Sequence, residues 1–200
     1  RGANVGVVTQ ALASAVAREG GAALGRASGT HARLPLHAAL LRSPPNEAMA
    51  LEALRLTAEH HPAGLGTPDG HGWLPVHLAM AEHASLQRLQ LEVLRLTAAH
   101  APGAFRAFTT RSVTSLLPPP GPRLPDVARR AMAAGRMLPV HVAALNARGP
   151  RTFYRPRPTE ALDRVVQLTL EAFPEAFEDG ELWELLAWAG YQRGGGEGAS

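Results

Sequence analysis

A six-residue phrase recurs three times along this chain: Leu34-Pro35-Leu36-His37-Ala38-Ala39, Leu74-Pro75-Val76-His77-Leu78-Ala79 and Leu138-Pro139-Val140-His141-Val142-Ala143. A phrase that returns with its surroundings marks a repeated structural unit, which buries its apolar face against its neighbours rather than on itself. The surroundings do return. Leu51-Glu52-Ala53-Leu54-Arg55-Leu56-Thr57-Ala58 and Leu91-Glu92-Val93-Leu94-Arg95-Leu96-Thr97-Ala98 differ at one position, and His37 to Pro62 and His77 to Pro102 both span 25 residues.

Each phrase reads as a helix start. Proline suits the first helical position, where its missing N–H would have no intrahelical partner. Breaks follow at Ser43-Pro44-Pro45-Asn46, at His83-Ala84-Ser85 and from Gly149 to Pro158. A second helix is predicted behind the N-caps Asn46, Ser85 and Thr159. Its apolar residues fall at helical spacing, as in Leu51, Leu54 and Ala58 or Leu162, Val165, Val166 and Leu170. Pro62, Pro102 and Pro174 end it. Turn chemistry separates the pairs, most clearly at Thr67-Pro68-Asp69-Gly70-His71-Gly72 and at Asp179-Gly180.

These signals predict an all-α array. Residues 1–26 form a degenerate N-terminal cap, with Val7 to Leu24 as the second helix of a broken unit. The array covers 27–190, with units near 34–73, 74–137 and 138–181 and a C-terminal cap at 182–190, where Leu182-Trp183-Glu184-Leu185-Leu186-Ala187 is a degenerate copy of the phrase. Residues 191–200 form a polar, glycine-rich tail.

Asp69-Gly70-His71-Gly72-Trp73-Leu74-Pro75-Val76-His77-Leu78-Ala79 resembles the ankyrin-repeat consensus, in which Asp, Gly, Thr-Pro-Leu-His and Ala fall at these places. The resemblance implies a helix-turn-helix solenoid with long inter-repeat loops and a non-enzymatic protein-binding role. It further implies that Pro35, His37, Pro75, His77, Pro139 and His141 are structural, each histidine ring bonding to turn backbone. Leucine stands where the family has threonine, so a capping hydroxyl is replaced by an apolar side chain that must be buried between units. The spacings of 40, 64 and 44 residues between successive phrase starts also exceed the family's 33.

Composition narrows the chemistry further. The chain has no Cys, which excludes disulfides, thiolate metal sites and cysteine nucleophiles. It has no Lys or Ile and three Asn, a pattern expected of a GC-rich genome, so the arginine-based positive charge is to be discounted. No P-loop, Gly-x-Ser-x-Gly or Gly-x-Gly-x-x-Gly motif is present. The three phrase histidines are a unit apart, too far for shared coordination at ~2 Å. No catalytic residue, cofactor or metal is therefore expected. No apolar run approaches the ~18 residues that cross a bilayer, and an intracellular protein is expected. The chain begins at Arg1 rather than Met, so it reads as a fragment or a processed product. Removal of a targeting peptide would imply a plastid or mitochondrion.

Charge is unevenly placed. Residues 106–157 hold ten Arg and one acid, whereas residues 158–200 hold two Arg and nine acids. The basic block coincides with both long insertions, Phe105 to Met137, in which a short helix is predicted from Pro125 to Ala134, and Gly149 to Pro158. Arg123, Arg129, Arg130, Arg136, Arg148, Arg151, Arg155 and Arg157, with Phe153 and Tyr154 among them, are the candidate partner-binding residues. Guanidinium groups bond carboxylates and phosphates in bidentate fashion and stack on bases. The expected function is an accessory or scaffolding subunit docking on protein partners in a larger assembly. The alternatives are an RNA-contacting accessory subunit of organellar-ribosome type, and arginines that only neutralise the acidic C-terminal segment of the same chain.

Overall fold

Pro35, Pro75 and Pro139 each open an α-helix, as the missing N–H of proline favours: α3 (Pro35–Leu40), α5 (Pro75–Glu82) and α8 (Pro139–Ala147). The computed structural model describes residues 5–41, 46–82, 86–109, 126–147, 160–178 and 180–191. Ten α-helices and no strand occur among the described residues, so the protein is all-α.

The second helix of each pair is longer: α4 (Glu47–His60), α6 (Gln87–His100) and α9 (Glu160–Ala172). Asn46 caps α4 through a 2.9 Å bond from Met49 N–H to its side chain. The predicted caps Ser85 and Thr159 lie outside the described residues. All three helices end alike. Backbone N–H groups of His61, Ala101 and Phe173 donate to Thr57, Thr97 and Thr169 carbonyls at 2.8, 2.8 and 2.7 Å. Proline then begins a 3-10 turn at Pro62–Gly66, Pro102–Arg106 and Pro174–Phe177. Each turn buries one large side chain: Leu65, Phe105 or Phe177. The three pairs are thus one construction written three times.

The pairs lie in two rows. Helix α3 packs on α5, α5 on α8, and α8 on α10 (Glu181–Trp188); α1 (Val5–Glu19) packs on α4, α4 on α6, and α6 on α9. Within a pair, α3 meets α4, α5 meets α6 and α8 meets α9. The short α2 (Ala22–Gly25) follows α1, and Leu24 joins Val16 and Leu56 in a small cluster beside the main core. Leucines 34, 74 and 138, where a capping hydroxyl would be expected, are all buried. From Pro75 to Ala81 every residue of α5 is buried, which matches its apolar character on all sides.

The histidines do the capping instead. Nδ1 of His37, His77 and His141 accepts the backbone N–H of Leu34, Leu74 and Leu138 at 3.2, 3.2 and 3.1 Å. That leaves the ring proton on Nε2. From His37, Nε2 donates across to the carbonyl of Trp73, the residue before the next phrase, at 3.1 Å. His77 faces the equivalent Met137 carbonyl and that of Ala107, without a bond of ordinary geometry among the described residues. Burial pushes the His37 imidazole below its ordinary range and that of His77 down to about 4. Both rings are therefore neutral near pH 7. The ring closes its own helix start and reaches toward the next pair.

The connecting turns are built on one acceptor. Asp69 Oδ1 takes the N–H groups of His71 and Trp73, both at 2.9 Å, while Asp69 N–H donates to the Trp73 carbonyl at 2.9 Å. The turn leans on the preceding one through Gly70 N–H to the His31 carbonyl at 2.6 Å, and the His31 and His71 rings stack 4.3 Å apart. One unit on, Thr109 stands where Asp69 stood. Its N–H donates to the Met137 carbonyl at 3.0 Å, its hydroxyl accepts Met137 N–H at 3.1 Å, and the same hydroxyl donates to the Gly135 carbonyl at 2.8 Å. The insertion leaves and re-enters the chain across this closed base. Its described part is α7 (Asp126–Ala134), which packs on α8 and α10 and matches the short helix predicted from Pro125 to Ala134.

Candidate binding surfaces

Three of the candidate arginines fall on described residues, and each has a partner within the chain. Arg129 pairs with Asp126 one turn back on α7. Arg130 donates to Glu181 at 2.6 Å, tying α7 to the start of α10. The Arg136 guanidinium lies 4.9 Å from the centre of the Phe108 ring, a cation–π contact. Side chains of Arg129 and Arg130 remain more than half exposed, so these ties are weak surface pairs. Arg123, Arg148, Arg151, Phe153, Tyr154, Arg155 and Arg157 lie outside the described residues. The structure thus brings α7 against the acidic segment and does not gather the described arginines into one patch.

A second surface lies on the outer row. Residues 48, 51, 52, 55, 58 and 59 of α4 recur every three or four positions and so share one face. On α6 the same face carries Arg88, Leu91, Glu92 and Arg95. Between the two stripes runs an open trough of about 1230 Å³, with Glu160 of α9 at one end. Ala48 and Ala58 keep the α4 side low, and Leu51 and Leu91 form a half-buried apolar floor.

The rim is charged and mostly self-paired. Arg55 bridges Glu52 at 2.8 Å and Glu59 at 2.7 Å, and Arg95 donates to Glu92 at 2.6 Å. Hydrogen bonds from these arginines hold the Glu52 and Glu92 carboxyls below the usual carboxylate range. Gln87 donates to Glu160 at 2.9 Å, linking the starts of α6 and α9. Glu47 and Glu160 meet no guanidinium among the described residues. Five carboxylates and three guanidiniums line the trough, so it is net acidic.

The charged stripe was present in the sequence as the Glu-x-x-Arg of both Leu-Glu-x-Leu-Arg-Leu-Thr-Ala copies. Its meaning as a surface depends on which helix row faces outward, which periodicity within one helix does not specify. Among the described residues no group of three or more His, Asp or Glu side chains is placed to hold a metal ion. No described helix is long and apolar enough to cross a membrane. The chain matches no known protein family, no curated protein and no solved structure.

Proposed function

We propose that this chain is a non-enzymatic interaction module, an ankyrin-like solenoid that serves as an accessory or scaffolding subunit of a larger assembly. One observation carries the reading: Leu N–H to His Nδ1 bonds recur at three helix starts, within helix pairs stacked side by side. Such an array is extended and presents broad faces, which favours recognition of another macromolecule over enclosure of a small substrate. The Asp69-Gly70 turn, leaning on its neighbour at His31, fits the same reading.

A protein partner is favoured over RNA. Arg129, Arg130 and Arg136 already have partners in the chain, and the described trough is acidic, a charge that repels phosphate. Purification of the native protein from its source in 50 mM salt, with mild crosslinking, tests the choice. A stoichiometric protein partner is the expected result. Recovery as a lone species sinks the reading. Nuclease-sensitive recovery with RNA, lost steeply as salt rises, moves the function to nucleic-acid contact.

A further inference from the structure

The trough on α4 and α6 has the composition of a docking groove for one particular kind of partner. Its apolar floor crosses from Leu51 to Leu91, positions 40 residues apart in sequence and equivalent in successive pairs. The floor therefore spans two units rather than running along one helix. At about 1230 Å³ and open to solvent, it exceeds the ~300–1,000 Å³ of small-ligand clefts. A polypeptide element laid along the surface fits it better.

Charge specifies the occupant. Arg55 and Arg95 are bound to carboxylates of their own helices and Arg88 acts on Glu92, so the three guanidiniums are outnumbered by five carboxylates on the lining. Glu47 and Glu160 stand at the first positions of α4 and α9, on the trough lining. The positive ends of those helices stabilise carboxylates there, and a formal negative charge remains for a partner to meet. Apolar floor, surplus carboxylates and two-helix width together match helix-in-groove recognition.

The geometry points to this trough as the docking site for an amphipathic helix of a partner protein, apolar on one side and carrying Arg or Lys along its flanks. This rests on reading the chain as an interaction module.

The probe is an 18-residue peptide with Leu at i, i+3, i+4 and i+7 and Arg on both flanks. Its control carries Glu in place of every Arg. Fluorescence anisotropy with the full chain should show the Arg peptide binding at least tenfold tighter than the Glu peptide, and more weakly as salt rises. Affinity should fall at least tenfold in Leu51→Ser/Leu91→Ser. It should also fall in Glu47→Arg/Glu160→Arg, whose sites, one half-buried and one exposed, lie outside the core and serve if the first variant misfolds. Equal binding of the two peptides, no binding of either, or binding unchanged in a folded variant overturns the proposal. Retention of the native crosslinked partner by both folded variants removes this surface and leaves the module reading standing. Loss of that partner in both folded variants supports the trough, whereas absence of any native partner from the unaltered chain removes the module reading itself.

Discussion

His77 holds a backbone N–H that nothing else reaches: Leu74 N–H sits beside its Nδ1 at 3.2 Å, and the ring is fully buried. Truncation would leave that donor unsatisfied next to a new cavity. His77→Ala should therefore cost about 2–4 kcal/mol, measured by urea denaturation. The pH dependence follows from the neutral ring. The unfolded histidine titrates near its ordinary 6.5, whereas burial lowers the folded value to about 4. Between these values the unfolded state binds a proton that the folded state refuses, so this contribution is complete above 6.5 and declines as pH falls toward 4. Stability of His77→Gln should vary less than that of the parent between pH 7.5 and 4.5; equal slopes would remove the ring as the cause. Spacing in the sequence argued only against shared metal coordination by these histidines, and bonding of their rings to turn backbone was implied by the family resemblance alone. The bond from the Leu N–H to Nδ1 and the reach of His37 to the Trp73 carbonyl were not foreseen, because both depend on where the ring is placed against its own helix start and the next pair.

At the scale of elements, the connecting turn is organised by whichever side chain accepts the backbone N–H just before the phrase. Asp69 does this for Trp73 and Thr109 for Met137. Asp69→Ala should cost about 2–3 kcal/mol, since it strands two N–H donors, that of Trp73 buried and that of His71 partly so. Asp69→Thr should recover at least half of that loss, because threonine already performs the task one unit on. Thermal melts of the two variants check this, and equal melting temperatures would refute the equivalence. Prolines made the element boundaries legible, as α3, α5 and α8 begin on them and α4, α6 and α9 end before them. The Thr109 equivalence was not legible. Threonine does not resemble aspartate, and 26 residues separate Thr109 from Gly135, to which its hydroxyl donates.

For the whole molecule, burial is graded along the array. Helices α5 and α8 have neighbours of their own row on both sides, whereas α1 joins a small satellite cluster with Val16, Leu24 and Leu56. In an array stabilised by nearest-neighbour contacts, ends open before the centre. Amide exchange should be slowest in α5 and α8 and fastest, among the described helices, in α1; uniform protection would indicate a single cooperative unit instead. The all-α class and the pairing were visible in the sequence, since both follow from local periodicity. The acidic trough was not, because it exists only where two outward stripes from separate helices run side by side.

Thr109 gives the molecule something that reaches past stability. Because its backbone and hydroxyl meet Gly135 and Met137, the chain between them departs and returns at one point. Closing a longer excursion costs only about 0.6 kcal/mol for each doubling of length. A change in length between Thr109 and α7 therefore disturbs the frame little, whereas α7 itself is part of that frame, since Val127, Ala128 and Met132 are buried in the main core and the helix packs on α8 and α10.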